Sequence, residues 1–347
     1  MGEREHRAAV RAAVAASRGL EGVFGRMGTV EHPRGRVLGA YRNARRALGD
    51  VWGRGVVGLR WEVEEVLAGL RQEVTAAAVD LLGEAAALGV ESGQRQVEGR
   101  GLEVGWPGVA DMGPALGAWL APMDAQVAAV RGVAAMGGGI ELVVGDGESP
   151  GILTPGPVVR EGGRWLAWMM MAGWQDAVTG AGAEEGWFKQ ACAAIDERTT
   201  DCCLRVHAQA VPLEGNFRLT GEPRYADEMQ WSPFHWWCRT SVALLPADEV
   251  GDDVTGWMRG AADAELERRA ALEEEIARVK GELSALGAAP DVRHRAGDAE
   301  EVTALRDELR RLRQELEAEQ HPASGVGGCG GGGKYLFHWF WVWGCYC

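Results

Sequence analysis

The stretch that decides the fold runs from residue 191 to residue 241 and reads ACAAIDERTTDCCLRVHAQAVPLEGNFRLTGEPRYADEMQWSPFHWWCRTS. Three residues separate Cys203 from His207. Two residues separate His235 from Cys238, and 27 residues lie between the two pairs. Two short pairs of nitrogen and sulfur donors on either side of a long loop are typical of a closed tetrahedral zinc site. The sequence therefore predicts that these four residues hold a structural zinc ion.

The first of the two pairs leaves alternatives open. Cys202 is adjacent to Cys203 and, as the ligand in its place, would be separated from His207 by four residues. The spacing of Cys203 and His207 is also wider than the usual half of a zinc site, so a buried thiol beside a hydrogen-bonded core histidine is the competing interpretation. The intervening loop favours the metal, because unsupported loops of this length are uncommon in compact domains unless something holds them.

The same stretch carries a longer motif. Its residues, in order, are Asp196, Arg198, Thr199, Cys203, His207, Gln209, Pro233, His235, Cys238, Arg239 and Thr240. They resemble the pattern D-x-R-T-C-x-x-C-x-x-x-H-G-Q, followed further on by P-x-H-x-x-C-R-[CST], of the phage head-morphogenesis family (minor head protein, Mu F-like). Thr200 stands where the first cysteine of that pattern is frequent, and Ala208 stands where glycine is common. With one cysteine left in the first half, the resemblance implies that His207 must be a ligand if zinc is to have four.

The resemblance implies a function in virion assembly. A member of this family would be a minor head protein, encoded by a phage or prophage, that acts near the portal during procapsid formation through protein–protein binding. Its partners would be the portal, the scaffold or the major capsid protein, and its location would be the virion or procapsid, with assembly in the host cytoplasm. The alternative is a zinc-dependent nuclease or hydrolase packaged with the phage DNA, in which the metal beside His235 would activate water.

Two observations argue against an enzyme. Four protein ligands would leave no open position on the metal. Asp196 and Glu197 are adjacent and would point to opposite sides of a strand, which makes them a poor acid–base pair. The resemblance implies instead that Asp196 and Arg198 form a structural ion pair or turn. We identify no nucleophile, so the prediction is a protein without catalytic residues.

Charge and cysteine usage bound the function further. The net charge of −14 argues against a general nucleic-acid coat, which needs clustered lysine and arginine. Residues 1–60 nevertheless contain twelve arginines and five acids. A weak DNA contact through this arginine-rich start is one interpretation, and a solvated helix surface is favoured because no aromatic residues interleave. The seven cysteines are not distributed like a secreted disulfide framework, and no apolar run is long enough to span a membrane.

Hydrophobic periodicity predicts an α+β chain that is mostly α-helical. Four parts are expected: a helical N-terminal region at 1–136, a zinc-pinned core similar to the head-morphogenesis family at 137–250, a coiled-coil-like helical pair at 251–320, and a glycine linker with an aromatic and cysteine-rich tail at 321–347.

Within these parts the pattern predicts individual elements. Helices are expected at 3–27, from 37 to about 96 with a break near Gly53, Gly55 and Gly58, at 111–133, and at 162–177, where a stripe of methionine and tryptophan reads as core. Strands are expected at 140–144, 187–195 and 240–245.

The C-terminal helices show heptad spacing. Apolar residues in 261–286 and 301–319 recur at alternating steps of three and four, with charged flanks. The two helices could fold back on each other as an antiparallel hairpin, or each could pair with another copy or another protein. The sequence leaves both arrangements open, and the second would give a homo-oligomer through residues 261–319. The tail after the glycine linker is either a membrane-touching or partner-docking plug, or a terminus with no selected role.

Overall fold

The protein is described by a computed structural model that covers residues 2–28, 35–54, 59–104, 111–145, 151–183, 186–196, 198–286 and 300–320. Within these ranges the chain is mostly helical and carries a small antiparallel sheet, which confirms the predicted α+β class. None of the helices in the described ranges is both long and apolar enough to cross a bilayer. The glycine linker and the tail expected at 321–347 lie outside the described residues.

Six helices precede the sheet in the part of the chain that the structure describes. Their bounds are α1 Gly2–Met27, α2 Arg36–Gly53, α3 Leu59–Gly99, α4 Gly113–Ala135, α5 Ile140–Val144 and α6 Gly156–Gly180. The predicted break between the second and third helices is confirmed, since α2 ends at Gly53 and α3 begins at Leu59. Gly55 and Gly58 lie outside the described residues. Asp111 accepts a hydrogen bond from the backbone N–H of Gly113 at 2.8 Å, which forms a turn directly before α4.

The predicted strand at 140–144 is wrong, because this run is the short helix α5. Five apolar residues do not distinguish a strand from a helical turn by periodicity. Gly145 has a φ of 83°, a left-handed conformation that glycine adopts without strain and that ends the helix. The backbone N–H groups of Ile152 and Leu153 donate to carbonyls of α5 at 3.0 and 2.9 Å. These bonds tie the run to the segment that follows it rather than to a sheet.

Helices α3 and α6 cross with their backbones in contact. A Cβ atom added at Gly89 of α3 would lie 1.8 Å from the carbonyl oxygen of Met170. A Cβ atom added at Gly173 of α6 would lie 2.3 Å from the carbonyl oxygen of Ala86. Small residues are required here because any side chain would force the helices apart. The predicted core role of the methionine and tryptophan stripe on α6 is confirmed for its buried members: Leu166, Met169, Met170, Met171 and Trp174.

One hydrophobic core joins α1, α2, α3, α4 and α6 to the region around the sheet. Its buried members include Leu20 of α1, Trp119 of α4, and Phe234 and Cys238 of the decisive stretch. The core is therefore continuous across residue 137, where the expected helical region gives way to the expected zinc-pinned part. The site described below rests directly on this helical layer.

The larger sheet has three antiparallel strands in the order β2-β1-β5. These are β1 Trp187–Cys192, β2 Ala210–Pro212 and β5 Ser241–Pro246. The predicted strands before and after the motif are therefore confirmed. Pairing of β1 with β5 sets Cys192 opposite Ser241. The two ends of the decisive stretch are thus held side by side. The chain between them, residues 193–240, leaves these two strands and returns to them, contributing β2 to the sheet on the way; we call this segment the excursion.

The excursion contains helix α7 and a second, two-stranded sheet. α7 spans Asp201–Val206, and the small sheet pairs β3 Phe217–Arg218 with β4 Glu228–Met229. The long loop expected between the two donor pairs therefore includes one short ladder. Lys189 of β1 is fully buried, and its Nζ donates to the carbonyl of Leu213 and lies 3.6 Å from the ring centroid of Trp231. Burial lowers the pKa of Lys189 to about 8.

Helices α8 Asp252–Ala285 and α9 Glu300–Gln320 pack on each other within the chain. Arg278 of α8 forms an ion pair with Glu308 of α9 at 3.0 Å. The seam is made of buried aliphatic side chains: Ile276, Val279, Leu283, Leu309 and Leu312. The intramolecular pairing is therefore observed, and association of this pair with another chain stays a prediction.

Candidate metal centre

Three of the four predicted ligands converge at one buried point. The donor atoms of Cys203, His235 and Cys238 all lie within 4.8 Å of one another. Cys203 Sγ lies 2.9 Å from His235 Nε2 and 3.8 Å from Cys238 Sγ. Each of the three side chains is at least 96% buried, because their exposed fractions are 3%, 4% and 0%. This Cys-His-Cys group could hold a metal ion.

The sulfur–sulfur distance in the group matches that expected around a tetrahedral zinc ion, and the sulfur–nitrogen distance is shorter than expected. With zinc–sulfur bonds of about 2.3 Å, two tetrahedral thiolates lie about 3.8 Å apart. The observed separation of the two sulfur atoms is 3.8 Å. A tetrahedral sulfur–nitrogen pair would be about 3.5 Å apart. The 2.9 Å between Cys203 Sγ and His235 Nε2 is shorter because these two atoms are within hydrogen-bonding distance of each other, so His235 must move by about half an ångström to admit an ion.

The second ring nitrogen of His235 has the partner that metal-binding histidines require. His235 Nδ1 lies 2.5 Å from the carbonyl oxygen of Trp236, which can only accept, so Nδ1 carries the proton. This hydrogen bond orients the ring and leaves the lone pair of Nε2 directed at the two cysteines. The donor set and its supporting hydrogen bond therefore fit a metal ion.

Each half of the site is positioned by local structure. Thr200 is the N-cap of α7, with its Oγ1 accepting from the backbone N–H of Cys203, and this places Cys203 in the first turn. In the second half, Trp237 has a φ of 62°, a left-handed conformation that turns the chain sharply between His235 and Cys238. Phe234 is fully buried against Phe217 and holds this turn to the core.

His207, the fourth predicted ligand, does not join the group. Its Nδ1 accepts a hydrogen bond from the backbone N–H of Ala193 at 3.0 Å, and its ring is also hydrogen-bonded to the backbone of Met258. Burial, with a smaller effect of the nearby Arg259 charge, lowers the pKa of His207 to about 4. A neutral histidine with both nitrogens engaged pins α7 between β1 and α8, which is a structural role.

Cys202, the alternative ligand, also lies outside the group. Successive residues of a helix point about 100° apart, so Cys202 and Cys203 cannot both face the same ion from α7. Cys202 is fully buried, and burial together with the neighbouring Cys238 charge raises its pKa to about 12. Of the two adjacent cysteines, the structure selects Cys203.

Thr200 occupies the place that the sequence prediction gave to His207. Its Oγ1 lies 2.8 Å from His235 Nε2, the same nitrogen that faces Cys203. A signal for this position exists in the sequence: Thr200 precedes Cys203 by three residues, as His235 precedes Cys238 by three. A search by donor type passes over threonine, because its hydroxyl is not among the usual zinc ligands.

The electrostatics of the group favour one thiolate. Burial opposes ionisation of Cys238, but hydrogen bonding from Cys203 and the charge of His235 prevail and hold its pKa well below the usual value for a thiol. Burial and the same Cys238 charge raise the pKa of Cys203. Burial lowers and the Cys238 thiolate raises the pKa of His235, with a net increase. The group therefore favours one ionised thiol beside a protonated imidazole, and a bound cation would take the place of the His235 proton.

An ion-pair network surrounds the first half of the motif. Arg239 donates to both carboxylate oxygens of Asp196 at 2.7 and 2.5 Å. Asp196 also accepts from the backbone N–H of Arg198 at 2.9 Å, which closes a turn. The side chain of Arg198 pairs with Glu21 of α1. Asp196 and Arg198 thus form the expected turn and also an ion pair with each other at 3.8 Å. Glu197 lies outside the described residues.

Three comparisons, with protein-family models, with curated proteins and with solved structures, found no match for this chain. The class of protein is therefore argued from the residues and contacts of the chain itself. Those contacts establish a mostly α-helical α+β fold with a buried Cys-His-Cys group that could hold a metal ion.

Proposed function

We propose that this chain is a phage minor head protein that acts near the portal during procapsid assembly through protein–protein binding. The observation that carries the proposal is the convergence of Cys203, His235 and Cys238, because these residues belong to the two separated halves of the motif. The motif resembles that of the head-morphogenesis family in both halves and in their order. The ion pair between Asp196 and Arg239 adds support, since it joins two further residues of the same motif.

The metal that we propose for the centre is zinc in a structural role. Two thiolates and an imidazole are the donors that zinc prefers, and softer or harder ions favour other sets. An ion at this point would link the first turn of α7 to the turn before β5, which lie 35 residues apart in the chain. It would stabilise the excursion from the sheet in the way that structural zinc ions stabilise small domains.

The proposed binding surface for capsid partners is the pair of helices α8 and α9. α8 is anchored to the rest of the chain near its start, where Arg259 donates to the backbone carbonyls of Leu204, Arg205 and His207. Met258 and Ala262 are buried at the same junction. Beyond it, the helices extend as an arm with charged outer faces. The portal, scaffold or major capsid protein is the proposed partner of this arm, and self-association through 261–319 is its other proposed role.

Co-expression with the portal, scaffold and major capsid proteins of the same phage or prophage tests the proposal. We expect the chain to co-purify with at least one of them and to be incorporated into procapsids. The matched control is the Cys238→Ser variant, which we expect to be recovered in lower amount because its centre cannot close. Failure of the wild-type chain to associate with any of the three, in a preparation that assembles procapsids, would reject the proposal.

A metal-dependent nuclease or hydrolase is a second candidate, favoured by one observation. Three protein donors, rather than the four predicted, are grouped among the described residues. Catalytic zinc sites commonly have three protein ligands and an open position. The cavity beside the group is only about 10 Å³, which admits a water molecule and not a substrate. An assay for metal-dependent cleavage of DNA or of a model ester tests this candidate. Cleavage that His235→Ala abolishes would support it, and absence of cleavage would reject it.

A further inference from the structure

We infer that a metal ion held by Cys203, His235 and Cys238 keeps one coordination position for an exchangeable water molecule, beside the hydroxyl of Thr200. The inference rests on the metal-binding part of the proposed function and is independent of the role in virion assembly. It concerns the fourth position of a tetrahedral ion, which the three grouped donors leave open.

The position of Thr200 is the first argument. Its Oγ1 is 2.8 Å from His235 Nε2, and Cys203 Sγ is 2.9 Å from the same nitrogen. Thr200 therefore borders the point that the ion would share with both side chains. A residue with a sulfur donor at this position would complete a four-ligand site, because the spacing from residue 200 to residue 203 repeats that from His235 to Cys238.

The chemistry of the hydroxyl is the second argument. A threonine hydroxyl stays protonated at neutral pH and is not one of the donors with which proteins usually bind zinc. It is a good hydrogen-bond partner for a metal-bound water, since it both donates and accepts. Thr200 thus lies where a fourth ligand would be, but a water molecule, and not the threonine hydroxyl, would bind the ion.

A small cavity is the third argument. It has a volume of about 10 Å³ and is lined by Thr200, Cys203 and His235, together with Thr240 and the arginines 198 and 239. This volume is close to the minimum that one water molecule requires. Thr240 Oγ1 is buried and has no hydrogen-bond partner among the described residues, so the cavity wall contains a polar atom that a water would satisfy. The cavity is thus of a size and polarity suited to one water molecule.

The described residues offer no better fourth ligand. Both ring nitrogens of His207 are hydrogen-bonded elsewhere. Cys202 points away from the group on α7 and does not belong to it. The carboxylate of Asp196 is engaged by Arg239 at 2.5 and 2.7 Å. Glu197 lies outside the described residues, so its contribution is tested directly by substitution.

Cobalt substitution of the full chain tests the inference, because thiolate-to-cobalt charge-transfer absorbance counts sulfur ligands without any assay of activity. We expect the wild-type chain to bind one Co²⁺ with the absorbance of two thiolates. Thr200→Cys should raise that absorbance by about half and tighten metal binding on the order of tenfold or more, measured by competition with a chromogenic chelator. Thr200→Val, which keeps the shape of the side chain but removes the N-cap of α7, should leave the absorbance unchanged and weaken affinity on the order of tenfold.

The remaining outcomes distinguish failure of the open coordination position from failure of the metal centre as a whole. Absorbance of three thiolates in the wild-type chain would overturn the inference, since another cysteine would then complete the site. Loss of binding in Thr200→Val, or in Glu197→Gln, would overturn it too, because the hydroxyl or the carboxylate would be the fourth ligand. A wild-type chain that binds no Co²⁺ or Zn²⁺ would reject the proposed metal centre as well. Circular dichroism of each variant establishes that it is folded before the titration.

Discussion

Cys238 is the residue on which the candidate centre depends most. It is fully buried, lies in the second half of the motif, and is the thiol whose ionised form the surrounding contacts favour. Its Sγ is 3.8 Å from Cys203 Sγ, which is the separation expected of two ligands of one zinc ion. Substitution of this single atom therefore tests whether the group binds metal in solution.

We expect Cys238→Ser to remove the stabilisation that metal confers. Binding free energy at a structural site is folding free energy, so chelation should lower the melting temperature of the wild-type chain on the order of 5–10 °C. The melting temperature of Cys238→Ser should not respond to the chelator. Cys192→Ser is the matched control, because Cys192 is equally buried but lies outside the group. A wild-type melting temperature that is the same with and without chelator would contradict the prediction.

His207 makes stability depend on pH. Its pKa is about 4 in the folded chain against 6.5 ordinarily, so the unfolded chain binds more protons between these values. Stability therefore falls as the pH drops below 6.5, and this residue should account for about 2 kcal/mol of loss by pH 5. His207→Asn keeps an acceptor for the Ala193 N–H and cannot titrate. Urea unfolding at pH 7 and pH 5, with chelator present throughout, should show a shallower decline for the variant. Parallel declines would mean that His207 is not held neutral.

At the scale of elements, the crossing of α3 and α6 positions the layer on which the centre rests. The two helices meet through glycine, and the neighbouring atoms are backbone carbonyls that cannot rotate away. Trp174 of α6, beside this crossing, contacts Trp231 of the loop with ring centroids 5.9 Å apart. The distance between the helices therefore affects how the excursion packs.

Gly89→Ala should destabilise the chain by about 3 kcal/mol, because the added methyl group would meet backbone atoms and force the helices apart. Gly83→Ala on the same helix is the matched control, since a Cβ there meets no atom within 4 Å among the described residues. That control should be neutral or stabilise by up to about 1 kcal/mol through helix propensity. Chemical denaturation of both variants measures the difference. Equal effects of the two substitutions would show that the helices do not touch at Gly89.

At the scale of the whole molecule, α8 and α9 form an arm whose apolar seam is closed within one chain. Val279 and Leu283 are fully buried by this pairing, and Leu309 is 2% exposed. A seam that is already covered does not require a second copy to exclude water. The charged outer faces of the arm are then the surfaces available to the capsid proteins that we propose as partners.

Because the seam is already covered, we expect no association through it. Light scattering of the full chain should therefore give the mass of one copy. A double substitution, Val279→Asp with Leu309→Asp, should open the arm and reduce helicity without lowering the mass. A matched pair of substitutions on exposed positions, Glu274→Asp with Arg310→Lys, should change neither quantity. A multimeric wild-type chain that the double substitution returns to one copy would establish self-association through 261–319 instead.

Local pattern was sufficient for much of this molecule. The glycines that separate α2 from α3, the strands on either side of the motif and the apolar stripe of α6 are each recognisable from periodicity and turn chemistry, because a buried face must repeat with its element. The helix at 140–144 was not recognisable, because five apolar residues fit both the helical and the strand period. The sequence did not decide whether α8 pairs with α9 or with another chain. Heptad spacing specifies an apolar seam and not the chain that supplies its other half.

The sequence by itself determined the mostly α-helical class, the two strands that hold the motif and a set of five candidate donors: Cys202, Cys203, His207, His235 and Cys238. Only the tertiary structure decided which donors meet, because spacing along the chain does not specify the direction in which a side chain points. α7 turns Cys203 inward and Cys202 away, the backbones of Ala193 and Met258 engage the ring of His207, and the cap of α7 brings Thr200 to the vacated position. Contacts between distant elements made that choice, and no local pattern contains them.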